Sequence, residues 1–319
     1  MKAKGIAMTA FAGAAAHIGF SFYTFYEVFG RNAKLPGMVD RSIKEKKNAG
    51  ANKQTDLRSE WMHEQTFTEY TIKNDRGEAL RGYYLKAEKE SRNFVLCSHG
   101  YRSRGKGEFR FIAKFYHDNG YNVFLVDHTA AGESEGEFIS FGHYESADLL
   151  LWAEFLNKTF GDDINIILHG VSMGCATVLL LAGKEELPEN VRFVISDCGY
   201  TSALAQFKSV LDKNHVPSYL LIKTVDMINK VKCGFSFAEV VPVEAVKKIK
   251  IPVLFIHGDK DSLVPTYMAK EMYDACNSEK ELFIVEGADH AESYRINSAG
   301  YEEKILSFTE KYITAKENK

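Results

Sequence analysis

Gly170-Val171-Ser172-Met173-Gly174 stands directly after the apolar run Ile164-Asn165-Ile166-Ile167-Leu168 and directly before Cys175-Ala176-Thr177-Val178-Leu179-Leu180-Leu181. Strand, sharp turn and helix form the context in which G-x-S-x-G marks a nucleophilic serine. The glycines let the backbone bend tightly and leave Ser172 at the apex of the turn. The helix that follows offers free N–H groups and the positive end of its dipole to a developing anion.

A serine hydroxyl is a poor nucleophile at neutral pH, so it needs a base, and the base needs an oriented carboxylate. His290, in Gly287-Ala288-Asp289-His290-Ala291, is the last of ten histidines and follows an apolar strand pattern, which makes it the expected base. His99, His169 and His257 close strand patterns and are read as turn-shaping residues. The acid is sought in Gly258-Asp259-Lys260-Asp261-Ser262-Leu263-Val264-Pro265. Asp261 is preferred, because the Gly258-Asp259 pair has turn chemistry. Asp259, and Asp197 at the end of the preceding strand, stay open as alternatives. The tetrahedral intermediate needs two backbone N–H donors, expected from Met173 and from Tyr101 in the early Ser98-His99-Gly100-Tyr101 loop. Only their backbones are called for by this reading.

Short apolar segments must carry these groups. Residues 66–72 alternate, Asn74-Asp75-Arg76-Gly77 turns, and 80–85 returns as a hairpin. Buried strands are expected at 94–97, 122–126, 164–168, 191–196, 253–257 and 282–285, and helices near 109–119, 144–160 and 299–312. Continuous apolar strands alternating with helices predict a mainly parallel sheet covered on both faces, with ligands beyond the carboxyl ends of its strands. His99, Asp127, Ser172, Asp197, Asp261 and His290 all fall at or just past such ends.

With these elements in place the chain resembles the α/β-hydrolase superfamily over roughly residue 60 to its carboxyl end. The resemblance is carried by His99-Gly100-Tyr101, Asp127 to Gly136, Gly170 to Gly174, His257 to Asp261 with Val264-Pro265, and Gly287 to Ala291. Ser196-Asp197-Cys198-Gly199-Tyr200-Thr201-Ser202 is similar to a bacterial group of carboxylesterase-like hydrolases, whose members often carry an amino-terminal hydrophobic segment. The resemblance implies a Ser172, Asp261, His290 triad, an oxyanion hole at Tyr101 and Met173, and no cofactor. One departure is His128-Thr129-Ala130-Ala131-Gly132, where the family commonly has arginine followed by glycine.

Composition bounds the rest. A chain of 319 residues with 45% hydrophobic and 26% charged residues is an ordinary globular protein, and a net charge of −3 supplies no basic field for nucleic acid. Five cysteines without a C-x-x-C read as free buried thiols, and no Cys or His cluster has metal-ligand spacing. Three divisions are expected: a hydrophobic segment at 1–30, a polar connector at 31–60, and a hydrolase domain at 61–319 with an apolar cap insertion at about 200–250.

Gly5 to Tyr26 carries no formal charge and is long enough to cross a bilayer, yet it contains His17, Ser21 and Thr24. Phe11, Ile18, Phe22, Phe25 and Phe29 share one helical face and those polar residues another. It reads as a membrane anchor, as an amphipathic helix lying on the protein or on a lipid surface, or as a cleaved signal. Membrane-associated and cytoplasmic locations both stay open, and oligomeric state is not addressed by the sequence.

The expected activity is that of a serine carboxylesterase acting on small to medium acyl esters, with a small-molecule ester as partner. A thioesterase or deacylase, a feruloyl-type esterase and an oligopeptidase-like peptidase share the chemistry. A hydrolase-fold binding module is the non-enzymatic alternative. Arg102, Arg104 and Lys106 beside the oxyanion loop are read as a solvated charge run or as a lure for an anionic leaving group.

Overall fold

The computed structural model of the chain describes residues 2–31, 33 and 53–314, so most of the expected connector lies outside the described residues. Helices α1 (Lys2–Phe29) and α2 (Lys53–Glu64) precede the hairpin of β1 (Thr68–Lys73) and β2 (Ala79–Leu85). Then come β3 (Asn93–Ser98), α3 (Ala113–Asp118), β4 (Asn122–Asp127), α4 (His143–Phe160), β5 (Asn165–Val171), α5 (Met173–Ala182) and β6 (Val191–Asp197). Helices α6 (Ala203–Lys213) and α7 (Ser218–Cys233) separate β6 from β7 (Val253–Gly258). The chain continues through α8 (Tyr267–Ala275), β8 (Lys280–Val285) and α9 (Ser298–Thr309).

The strands form one eight-stranded sheet in the order β1-β2-β4-β3-β5-β6-β7-β8. Pairing is antiparallel for β1–β2 and β2–β4 and parallel from β4 across to β8. This is the mainly parallel sheet that the alternating pattern predicts, in the α/β-hydrolase architecture that the resemblance implies. The alternation is visible residue by residue. Val95, Cys97, Ile167, Ile195 and Ile256 point to the face covered by Phe109, Tyr116, Tyr301 and Phe308. Their neighbours Phe94, Leu96, Ile166, Leu168 and Phe255 point to the face covered by Trp152, Leu156, Val178 and Met272. Because both faces are dry, the central strands are near-continuous apolar runs, with buried polar residues such as His169 only where a partner is met. The helix expected at 109–119 is split: a 3-10 turn at Phe109–Phe111 precedes α3.

The segment between β6 and β7 packs Leu211, Leu221, Val225 and Phe237 into a separate apolar cluster. That cluster also contains Phe25 and Phe29 of α1, both fully buried. Among the described residues, no helix is long and apolar enough to cross a membrane. With 28 residues α1 has the length to span a bilayer but not the apolarity. Its packing also corrects the expected faces. Ile18 and Phe22 are 50% and 41% exposed, whereas Ser21 is fully buried. His17 Nε2 meets Thr224 Oγ1 of α7 at 2.9 Å, so the polar stripe, not the aliphatic one, lies along the protein there. The side chain of Phe11 lies outside the described residues. All five cysteines are free, and four of them are buried.

Candidate active site

Ser172 occupies a strained position, with φ 56° and ψ −115°, between the end of β5 and the first residue of α5. Its N–H donates to the Asp197 carbonyl at 2.8 Å, which ties the turn to the end of β6. The flanking glycines are forced by close approach. A Cβ on Gly170 would sit 2.2 Å from the Gly174 carbonyl oxygen, and one on Gly174 would sit 1.9 Å from the Ser98 carbonyl oxygen. The G-x-S-x-G pattern is therefore the steric condition for pressing the turn against β3.

The loop after β8 brings His290 over this turn. His290 Nε2 lies 2.8 Å from Ser172 Oγ, and His290 Nδ1 lies 2.8 Å from Asp261 Oδ2. An ionised carboxylate only accepts, so Nδ1 carries the proton and Nε2 presents its lone pair to the serine hydroxyl. The Asp261 side chain is completely buried and that of His290 is 12% exposed, so only a small part of the imidazole faces the cleft.

Asp261 is held by four donors. Its Oδ1 accepts from the Leu263 and Val264 N–H groups at 2.9 and 2.8 Å. Its Oδ2 accepts from His290 and from His257 Nε2, 3.1 Å away. Burial works against the charge, but hydrogen bonds and attraction from His257 and His290 outweigh it and hold this carboxyl well below its ordinary range. The other two acid candidates are engaged elsewhere. Asp259 Oδ1 accepts from the Gly287 N–H at 2.7 Å. Asp197 Oδ2 accepts from Tyr301 at 3.1 Å.

His257, expected at a strand end to shape a turn, instead contacts Asp261. Its Nε2 also faces the Val264 carbonyl at 2.9 Å, so that nitrogen carries the proton. Burial disfavours a charge on His257, but Asp261 raises its pKa above the ordinary value overall. Asp289 is a second residue the sequence did not single out. Its Oδ1 accepts from the Ser262 and His290 N–H groups, both at 2.7 Å, and so locks the base loop to the acid loop. The signals were present in the spacing of His257 to Asp261 and in the adjacency of Asp289 to His290, but neither says which partner is met.

Beneath the site runs a buried relay. Tyr301 donates to Asp197, so it accepts from His169 Nε2 at 3.0 Å, and His169 Nδ1 accepts from Tyr116 at 2.8 Å. Burial drives His169 down to about 3 and keeps it neutral. Burial also pushes Asp197 from 3.8 up to about 6, despite attraction from His257. Between those values the folded state holds the proton that the unfolded chain has lost. This part of the stability is complete below about pH 4 and is lost as pH rises through about 6. Asp197→Asn is expected to remove that slope and to raise stability at pH 8 by about 1–3 kcal/mol. Urea denaturation at a series of pH values measures it; an unchanged slope between pH 4 and 7 would contradict the assignment.

The second wall of the turn is the loop after β3. A Cβ on Gly100 would lie 3.3 Å from Ser172 Cβ, so this loop runs against the nucleophile. Its shape is set by His99, which is buried and accepts from the His128 N–H at 3.1 Å through Nε2, so that Nδ1–H donates to the Gly100 carbonyl at 2.7 Å. Burial lowers the pKa of His99, which favours the neutral form that this arrangement needs. The departing His128 is absorbed in the same network, with Nε2 2.8 Å from Ser98 Oγ. Among the described residues, neither the Tyr101 nor the Met173 backbone N–H has an acceptor. Both adjoin Ser172, one through the Gly100 contact and one through the peptide bond.

A cavity of about 110 Å³ opens beside Ser172 and is walled by Phe29, Tyr101, Phe141, Tyr200, Phe207 and Phe237, among others. Arg102, Arg104 and Lys106 do not line it. Arg102 reaches the Glu27 carbonyl, and Lys106 lies 3.9 Å from the centre of the Tyr83 ring, so both are used structurally. Among the described residues, Cys198, Asp261 and His290 have ligand atoms within 4.8 Å of one another. The sequence shows no such cluster because three separate loops supply it, and two of its members are already bonded to each other.

Comparison with known proteins places the chain in a family. A sequence model of the prolyl oligopeptidase family matches residues 107–316. The chain belongs to this family. It is 31% identical over 76% of its length to the uncharacterized protein YqkD of Bacillus subtilis, covering 78% of that protein. It is 26% identical to alpha/beta hydrolase domain-containing protein 17C of Xenopus tropicalis, over 73% of this chain and 68% of the relative. Its fold is shared with an esterase of Pyrococcus furiosus, with a TM-score of 0.61, 19% identity, and coverage of 83% of this chain and 97% of the esterase. An acylaminoacyl peptidase of Pyrococcus horikoshii gives a TM-score of 0.59 at 18% identity, over 78% of this chain and 42% of the peptidase. Family membership and fold make the chain a hydrolase of the serine type.

Proposed function

We propose that this family member is a carboxylesterase of small to medium acyl esters, working through an acyl-enzyme on Ser172. The observation that carries the reading is the continuous hydrogen-bonded line from Ser172 Oγ through His290 to Asp261, opening on an apolar cavity. Ser172 Oγ attacks the ester carbonyl while His290 Nε2 takes its proton. The oxyanion is met by the Tyr101 and Met173 N–H groups, and His290 then returns the proton to the departing alcohol. Water repeats the sequence on the acyl-enzyme, and the acid leaves with Ser172 restored. The cavity size supports a short acyl group, since about 150 Å³ suffices for a benzene ring.

The match to the prolyl oligopeptidase family favours a peptidase as the second reading. Turnover of p-nitrophenyl butyrate beside an acyl-peptide p-nitroanilide separates them. The esterase reading expects kcat/KM at least 100-fold higher for the ester, together with fluorophosphonate labelling at Ser172. Preferential cleavage of the anilide would favour the peptidase, and no labelling at all would reject both.

A further inference from the structure

The amino-terminal helix reaches the cavity. Val28 and Phe29 line it beside Ser172. Phe29 is fully buried and sits among three rings, stacked on Phe237 at 5.2 Å, edge-on to Phe141 at 5.3 Å and stacked on Phe25 at 5.1 Å. The end of α1 is then laced to the loop that follows β4. The Ile139 N–H donates to the Phe29 carbonyl at 2.8 Å, the Arg31 N–H donates to the Glu137 carbonyl at 2.9 Å, and the Arg31 guanidinium donates to the Gly132 carbonyl at 2.7 Å. The oxyanion loop is tied to the same turn of helix. The Tyr101 hydroxyl donates to the Val28 carbonyl at 2.7 Å, and the Arg102 guanidinium reaches the Glu27 carbonyl. The oxyanion role expected of Tyr101 involves only its backbone, yet its side chain is the tether.

We propose that α1 is the specificity wall of this site: Phe29 limits the length of the acyl group, and the carbonyl of Val28 holds the Tyr101 loop at the distance the oxyanion needs. The proposal rests on the esterase reading of Ser172. Helix carbonyls in a last turn lack intrahelical partners, so that of Val28 can receive the Tyr101 hydroxyl from the neighbouring loop. Phe29 is a specificity residue because it faces the cavity, and Tyr101 is a positioning residue as far as its hydroxyl is concerned. A single methylene in an apolar pocket is worth roughly 10–200-fold in kcat/KM, so removal of a ring is expected to change the preferred chain length strongly.

The test measures kcat/KM of the full-length chain for p-nitrophenyl acetate, butyrate, hexanoate and octanoate. Phe29→Ala is expected to raise the octanoate-to-butyrate ratio at least tenfold over the unaltered protein. Phe29→Leu, which keeps the cluster filled, is expected to raise it by a smaller factor and decides the matter if the alanine variant does not fold by thermal melting. Tyr101→Phe, which keeps the ring and drops the hydroxyl, is expected to lower kcat three- to tenfold at unchanged KM and unchanged chain-length preference. A ratio unmoved in the folded Phe29 variants, with fluorophosphonate still labelling Ser172, overturns the wall. Absence of labelling in the unaltered protein would instead reject the esterase reading beneath it.

Discussion

Ser172→Ala is expected to lower kcat for a short acyl ester on the order of 10⁴–10⁶-fold while leaving KM within a few-fold of its starting value. In the proposed mechanism the hydroxyl is the only protein group that forms and breaks a bond to the acyl group, so no partial substitute exists. What survives is the catalysis available from the oxyanion donors and the cavity acting on water. The fold should be indifferent to the change. Alanine and serine carry the same Cβ into the strained φ of 56°, and the turn is fixed by Gly170, Gly174 and the Ser172 N–H rather than by the hydroxyl. Thermal melting within a degree or two of the unaltered protein, with loss of both turnover and fluorophosphonate labelling, is the expected pair of results. Residual turnover above one per cent would mean that another group is the nucleophile.

Asp261→Asn is expected to cost about 10⁴ in kcat and, unlike the serine change, about 2–4 kcal/mol of stability. The carboxylate accepts from four donors, two on each oxygen. A carboxamide has one oxygen and one NH₂ group. Whichever way it turns, its NH₂ faces two donors: the Leu263 and Val264 N–H groups, or the imidazoles of His257 and His290. The first arrangement leaves the loop unsupported; the second presents the wrong tautomer of His290 to Ser172. The pH dependence separates the two effects. The carboxyl of Asp261 is held below its ordinary value in the folded state. Its contribution is therefore full above the unfolded value of about 3.8 and is lost as pH falls below it. Denaturation at pH 3 to 7 should show a shallower acid limb in the asparagine variant. Equal limbs, with kcat reduced less than tenfold, would remove Asp261 from the role proposed for it.

The sheet was legible because two dry faces leave each central strand a continuous apolar run, and each run ends in a polar residue with work to do. Ser172, Asp261 and His290 could be named because a turn motif, an order along the chain and a strand end each restrict the choice. Proximity among them was not legible, since hydrogen bonds across 29 and 118 residues are a product of packing. The second imidazole on Asp261 stayed hidden for the same reason: spacing places His257 near Asp261 but does not aim its ring. Helix α1 was the least readable element. A face of phenylalanines states that something must cover it and is silent on whether that is lipid or protein. The contact of His17 with Thr224 depends on a polar spot in α7 that no property of the first thirty residues reports.

The separation between α1 and the surface it covers has a consequence for how the molecule is made. His17 and Thr224 are 207 positions apart. At roughly 5–20 residues per second of translation, about 10–40 seconds pass between synthesis of the first partner and synthesis of the second. Phe25 and Phe29 meet Phe138 and Phe141 partway through that interval, but Phe237 and the α7 surface arrive only at its end, so until then the nascent chain displays a ringed helix whose stretch from Gly5 to Tyr26 carries no charge. Chaperone capture during this window, followed by release once α7 has emerged, is the expected itinerary, and ribosome profiling of stalled chains cut before and after residue 233 offers a direct view of it.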